Sequence, residues 1–596
     1  MGGIAGIIHF RNEPPDRDQL HQLSTRVAHR GPDDKAIYYS PPVGFAQRVF
    51  ATDSKAHRPP WENDQIVIAI DGSADRIRTV ENWCSKGIES LQKISGNFAL
   101  AVWEKQEGVL WLARDPTGTK PLFFSHRDSR LAFASTLQAL VGLPWVSNEI
   151  ATDHLAEYLS FRYTHAPRTL LRDVWAVPPG HIARIDRSGV RIDRWWNPKW
   201  YMPGDPISSF STLTDLVDRS LRRAVERRMR TTQPLGVLLS GGLDSAAILH
   251  HAHDLLGSAP PTFTVRMADD PTDESAFAAR VAETYGADHT LVEVTNEELM
   301  AVVDRTTEHM GHPLPSPSAL VQHHLFEAAS SDVRLLLSGA GGDEVLGGRT
   351  MPDIAQRLRR SRTISRMPGP MRMMGRRAAK AAGWSDLATA AAHFGLERKI
   401  GGSRVFAAEE RVLILRDPAL ARPGIRASIL EPFYQEVSSD PINEILHVWQ
   451  RGWLSEDVLA RADRMAAHHR IQVRFPLLDT EFLEMAAAFP GAEKCRRKGL
   501  NYVSKAPLRA AMHGRLSEQL LHRPKRALPA PMANWLRGPG ARFMQQRLDA
   551  LCDRSSDLFV PAVVTEHMQA HLSGDADHSV RLWSLVMFDA WRASLD

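Results

Sequence analysis

Cysteine is scarce in this chain, with three in 596 residues, and Cys84, Cys495 and Cys552 stand far apart in no metal-ligand spacing. That excludes a disulfide framework and a cysteine-based zinc site, and it leads us to expect a reducing, cytoplasmic setting. No apolar run approaches the roughly 20 residues that a bilayer span requires. No charged-then-apolar signal segment opens the chain. An excess of one charge is lacking too. The 73 Lys and Arg against 69 Asp and Glu leave a net +4, too small to argue for a nucleic-acid partner. Gly2 raises the question of N-myristoylation, but Gly6 stands where that motif asks for Ser or Thr. What remains is an ordinary soluble composition, 43% hydrophobic and 24% charged, in a chain long enough for at least two domains with their own cores.

Two patterns divide the chain. Up to about residue 200 it reads as β-rich, with apolar runs at Ile66–Ile70, Phe98–Trp103 and Val109–Ala113 between turn signals. A Trp- and Pro-rich junction, Trp195-Trp196-Asn197-Pro198 to Pro206, places a boundary at 205/206. Beyond it, helices alternate with short apolar strands. Leu213–Met229, Ser245–Leu256 and Glu274–Tyr285 read as helices; Leu235–Leu239, Thr262–Val265, Thr290–Val294 and Val333–Leu337 read as strands. Such alternation predicts a parallel α/β sheet covered on both faces. The remainder, to Trp591, reads as mostly helical. Residues 354–385 contain no acid but nine basic residues, with four Met interleaved. They read either as a mobile, solvated insertion or as a docking surface for an acidic or flexible partner.

Two loops carry the chemistry. Ser240-Gly241-Gly242-Leu243-Asp244-Ser245 follows a strand and opens a helix. Its glycines let backbone approach a phosphate, and the N–H groups of the helix start favour an anion. Ser240 and Ser245 add hydroxyl donors. Asp244 repels phosphate directly and makes sense as a Mg²⁺ ligand. Ser338-Gly339-Ala340-Gly341-Gly342-Asp343-Glu344 follows a second apolar strand in the same way.

These strings resemble the pyrophosphate loop and the second motif of the asparagine-synthetase family. Further matches are His29-Arg30-Gly31-Pro32-Asp33, the run from Arg114 to Leu122, Phe133-Ala134-Ser135, Val473 to Asp479, Lys505 to Arg509 and Arg523-Pro524-Lys525. The resemblance implies an N-terminal Ntn-hydrolase-like αββα sandwich over residues 1–205. It implies an adenine nucleotide α-hydrolase-like (PP-loop) parallel-sheet domain over 206–596. It further implies that ATP and Mg²⁺ are bound, with the metal between Asp244 and Asp343 and the nucleotide along Ser240–Ser245, Ser338 and Gly339. Leu239 and Val265 would contact adenine, and Lys505 would meet pyrophosphate or the charge of the second transition state.

The chain also departs from the family. Glutamine-using members open Met-Cys-Gly-Ile, and the cysteine is their nucleophile; here Gly2 offers only a hydrogen, so covalent catalysis is impossible there. Their Asn-Gly-Glu string appears as Asp71-Gly72-Ser73 and the following Gly-Ser-Asp string is missing. Arg48 survives and reads as structural. In the synthetase half, Ala340 replaces the Glu of asparagine synthetases and the Tyr of β-lactam-forming relatives, and Gln472 replaces a common Glu. Small or neutral replacements suggest room for a substrate bulkier than aspartate.

One branch that lacks the cysteine and takes a large substrate is that of the lasso-peptide cyclases, which this chain resembles. The resemblance implies adenylation of an Asp or Glu side chain in a precursor peptide, then attack by the peptide's N-terminal amine to close a macrolactam. A leader-binding protein and a leader peptidase accompany that branch. His312, which lies where relatives carry an acid before Pro, is a candidate base, as are His468 and His469; each also reads as structural. The alternatives are an ammonia-dependent asparagine-synthetase-like or β-lactam-synthetase-like small-molecule ligase, a tRNA-modifying enzyme, and a silent binding scaffold.

Overall fold

The computed structural model describes residues 2–51, 60–73, 76–94, 96–267, 273–348, 350–354, 405–437, 440–499, 501–523 and 532–595. The basic, Met-rich stretch lies outside them except for Ile354, as do Pro524 and Lys525.

The first unit is built on two antiparallel sheets. Its strands are β1 (Gly2–His9), β2 (Asp34–Ser40), β3 (Val43–Val49), β4 (Trp61–Glu62), β5 (Ile66–Gly72), β6 (Phe98–Glu104), β7 (Val109–Arg114), β8 (Phe123–Arg127), β9 (Arg130–Ala134), β10 (Trp175–Ala176), β11 (His181–Asp186) and β12 (Gly189–Arg194). One sheet runs β10-β8-β9-β1-β3-β2 and the other β12-β11-β7-β6-β5-β4. The period of two along β1 decides its two faces. Ile4 and Ile8 pack with Phe45 against Val67, Ala69, Ala99 and Ala101 of the other sheet, so the sheets bury each other. Ala5 and Ile7 point the opposite way, to a core shared with Leu20 and Leu23 of the helix Arg17–Arg26. On the far side of the second sheet, Ile66, Ile68 and Leu100 meet Trp83 and Leu91 of the helical segment that follows β5. The result is the αββα layering expected of an Ntn-type domain.

The second unit holds a five-stranded parallel sheet of β13 (Leu235–Leu238), β14 (Thr262–Met267), β15 (His289–Val294), β16 (Leu335–Leu337) and β17 (Gln472–Arg474), in the order β15-β14-β13-β16-β17. The inner strands β13, β14 and β16 are buried or half-buried throughout and read as apolar runs, while the edge strand β15 leaves Leu291 and Glu293 exposed; four of the five are visible in the sequence. The fifth is a three-residue strand, and its partner β16 lies more than a hundred residues earlier, with Leu336 opposite Val473. The helices Phe210–Met229 and Leu243–Leu256 cover the sheet; Val217, Leu221, Ile248 and Leu249 are wholly buried there with Val237 and Leu336. From β13 the chain winds outward to β14 and β15, then returns to the other side of β13 for β16. The C-terminal ends of β13 and β16 therefore form the topological switch point, where parallel sheets open a crevice for ligands.

Among the described residues no helix is long and apolar enough to cross a membrane.

Candidate functional site

Both glycine-rich loops leave the sheet at that switch point. Gly241 has φ +67°, a turn that a side chain resists, and a Cβ there would lie 2.9 Å from the Ala278 amide. The Ser245 hydroxyl ties the turn, lying 3.1 Å from both the Ser240 amide and the Ser240 hydroxyl. Gly242 then caps the 14-residue helix Leu243–Leu256, which carries Asp244 in its first turn. The second loop touches the first through backbone: a Cβ on Gly339 would sit 2.8 Å from the Ser245 amide, and one on Gly342 would sit 2.6 Å from Asp244 Oδ1. The Ser338 amide is anchored to the Arg474 carbonyl at the end of β17.

The contact brings three sequence-expected residues together. Lys505 Nζ lies 2.5 Å from Asp244 Oδ2 and 2.5 Å from Asp343 Oδ1. The lysine comes from beyond residue 500 and is buried, with a left-handed backbone at φ +52°, an uncommon conformation for a residue with a Cβ. Arg509 holds that turn by donating from Nε to the Ser504 carbonyl at 2.8 Å. The pocket around them includes Gly241, Gly242, Ser504, Arg509 and an ion pair between Arg523 and Glu274. Two carboxylates that converge on one cation beside the Gly241-Gly242 turn supply the hard oxygen donors that a magnesium ion would take. Among the described residues no group of three or more His, Cys, Asp or Glu side chains is arranged to hold a metal by itself. Leu239 is buried at the end of β13, with its carbonyl accepting from the Thr264 hydroxyl, and Val265 is half-buried one strand away.

Residues 216–593 match the family described as asparagine synthase. The chain belongs to the asparagine synthase family. Residues 73–196 match the glutamine amidotransferase domain. The chain is similar to a putative glutamine-hydrolysing asparagine synthetase of Mycobacterium bovis, 29% identical over 96% of this chain and 93% of that protein. It is also similar to glutamine-hydrolysing asparagine synthetase 1 of Bacillus subtilis, 25% identical over all of this chain and 96% of that one.

In this asparagine synthase relative the start of the chain is packed into the first unit. The Gly2 amide donates to Asp71 Oδ1 at 2.8 Å, and a Cβ on Gly2 would fall 2.4 Å from the Arg48 carbonyl oxygen. Arg48 itself is structural: its Nε donates to the Ser24 carbonyl. Asp71 is tied to Arg30, whose Nη2 lies 3.0 Å from Asp71 Oδ2 and 2.7 Å from Asp463 Oδ2. Lys120 Nζ reaches the other oxygen of Asp463. All four side chains are almost fully buried, so an ion network crosses the seam between the two units. Burial alone would raise Asp463, but Arg30 and Lys120 outweigh it and hold its carboxyl at about 2. No spacing in the sequence signals Asp463, because its partners lie more than 300 residues away.

The histidines are placed differently from expectation. His312 contacts Arg464 Nη1 and, through Nδ1, the Met310 carbonyl; burial and then Arg464 push its pKa well below the usual imidazole range. It lines a separate cavity between the two units, together with Thr119, Tyr163 and Glu456, and not the pocket of Lys505. His468 is stacked between His29 and His309, with ring centroids 4.1 and 3.3 Å apart. His469 Nε2 sits 3.2 Å from His323 Nδ1. The structure brings none of the three to the carboxylate–lysine cluster, because the helix Ala460–His468, which ends in His468 and is capped by His469, packs at the seam. Gln472 is likewise turned from the site: its Oε1 accepts from Arg474 Nε and Nη2 at 3.2 and 3.0 Å. It makes no room for a substrate. Ala340 does lie in the second loop, half-buried, beside Ser338.

Proposed function

We propose that this protein is a lasso-peptide cyclase: an ATP-dependent, AMP-forming amide ligase that joins an Asp or Glu side chain of a precursor peptide to the peptide's own N-terminal amine. In this reading residues 1–205 are a glutaminase-like domain without activity, and 206–596 are the ATP-pyrophosphatase domain that activates the carboxyl. One observation carries it. The nucleophile position at Gly2 is closed against a side chain, while Asp244, Asp343 and Lys505 stand assembled at the switch point. An enzyme so built activates a carboxyl but takes its amine from elsewhere than glutamine. Ala340 supports a bulky acyl substrate, since it presents a methyl group where relatives present a large side chain.

In this reading the residues divide the work as the family resemblance implies. The loop amides of Gly241 and Gly242 and the hydroxyls of Ser240 and Ser245 bind the triphosphate. Leu239 and Val265 flank the adenine, with Ser338 and Gly339 along the nucleotide. Asp244 and Asp343 hold Mg²⁺, which when bound neutralises charge developing on the phosphates. Lys505 offers its ammonium to the leaving pyrophosphate. The larger task is entropic: amine and activated carboxyl must be held in a prefolded ring geometry.

A second reading has its own support. The relatives named above are asparagine synthetases, so a small-molecule, ammonia-dependent amide ligase fits the likeness of the whole chain. Incubation with a candidate linear core peptide, ATP and Mg²⁺, read by intact mass, separates the two. Loss of one water with release of AMP and pyrophosphate supports the cyclase. ATP turnover with aspartate and ammonia, and no change in any peptide, moves the answer to the small-molecule ligase. Replacing Asp244 by Ala tests the machinery common to both, and turnover that survives it in a folded protein would sink both readings.

A further inference from the structure

We propose that Lys505 and a divalent cation compete for the same two carboxylates, so that metal enters between Asp244 and Asp343 only together with a polyphosphate that takes over the lysine ammonium. The inference rests on the ATP and metal reading above and adds an order to it. Lys505 Nζ lies at 2.5 Å from one oxygen of each carboxylate, so the ammonium stands where a cation shared by the two would be held. Its side chain is 4% exposed, the Asp244 side chain 9% and the Asp343 side chain 28%, so the Lys505–Asp244 pair interacts with little screening by water while Asp343 borders solvent. Two carboxylates this close repel unless a cation lies between them. A metal ion arriving alone must therefore expel the ammonium.

The surroundings make that expulsion unfavourable. Besides the site's own aspartates the pocket contains the Arg509 guanidinium and the Glu274 carboxylate, which Arg523 already pairs, so a displaced lysine head would compete with guanidinium groups for its countercharge. A triphosphate along Ser240–Ser245 changes the balance by giving the ammonium an anion of its own. The backbone need not move. The left-handed turn at Lys505 is braced by Arg509, through Nε to the Ser504 carbonyl and Nη1 to the Leu521 carbonyl, while four methylenes let the head swing. Lys505 is thus a tethered cation that keeps the site shaped for Mg²⁺ with nucleotide and closes it to Mg²⁺ alone.

Mn²⁺ titrations of the full chain, followed by electron paramagnetic resonance, test the competition. Wild type, K505M and K505Q are each titrated with and without α,β-methylene-ATP. Without nucleotide, K505M is expected to bind Mn²⁺ at least about tenfold tighter than wild type, and the nucleotide analogue is expected to raise the wild-type affinity. K505Q, whose amide still donates to a carboxylate, supplies the comparison if K505M does not fold. A second readout is thermal: Mg²⁺ alone should raise the melting temperature of the lysine variants and not that of wild type. Equal Mn²⁺ affinity of wild type and variants without nucleotide, while Mn²⁺ binding with the analogue persists, overturns the competition and leaves the metal reading standing. No Mn²⁺ binding in any form, with or without the analogue, overturns both.

Discussion

Gly2 and Asp71 are joined by a hydrogen bond of 2.8 Å from the glycine amide to Oδ1, and Asp71 passes through Arg30 to Asp463 in the other half of the molecule. The start of the chain is therefore committed to holding two halves together. A backbone carbonyl, that of Arg48, lies where a side chain at position 2 would begin.

Restoring the family's nucleophile should accordingly fail. G2C is expected to release no glutamate from glutamine and to lose about 1–3 kcal/mol of stability through overpacking against the Arg48 carbonyl. Glutamate assay and thermal unfolding of the variant check this together. Glutaminase activity in a fully stable G2C protein would show that the strand accommodates the thiol after all.

Asp463 should matter more to folding than to chemistry. D463N leaves Arg30 and Lys120 buried with half of their countercharge, and the expected cost is about 3–5 kcal/mol. Urea unfolding of wild type and variant measures it. A change under 1 kcal/mol would mean that the seam is not held by this network.

Acid should weaken the seam through its histidines. Burial first, and then neighbouring cations and imidazoles, lower His29 and His323 to about 4 and His309 to about 3, with His468 lower still. Between the folded values and an unfolded value near 6.5, the unfolded chain binds more protons, so stability rises with pH in that window. It should be whole above about pH 6.5 and fall steadily toward pH 4. H468Q in a melting-temperature series from pH 7 to 4 should flatten the dependence. An unchanged slope would place the acid sensitivity elsewhere.

Gln472 offers a test of substrate room against structure. Arg474 is buried, its pKa pushed down to about 9 by burial and Arg228, and Gln472 is its side-chain partner. Q472E should make that bond charge-assisted and raise stability by about 1 kcal/mol without altering which substrate is used. A switch in substrate choice with no gain in melting temperature would return Gln472 to the site.

Much of the nucleotide half was determined by the sequence alone. The apolar residues of β13, β14 and β16 are mostly buried, so hydrophobicity marks them without any knowledge of their partners. Glycine at 241, where φ is positive, and Asp244 in the first turn of a helix are local requirements written locally. The missing thiol at position 2 is likewise a plain fact of composition at one site. What only the tertiary structure decided is everything that depends on distance in space. Strand β17 is three residues long and exists because β16 offers an edge to pair with. Asp463 reads as one polar residue in a helix until Arg30 and Lys120 meet it from more than 300 positions away. His312, His468 and His469 have the chemistry of a base, but packing holds them at the seam, where burial and neighbouring cations and imidazoles lower their pKa. Lys505 reads as a lysine near phosphate, and the fold sets it between two aspartates instead, because opposite charges buried together must pair.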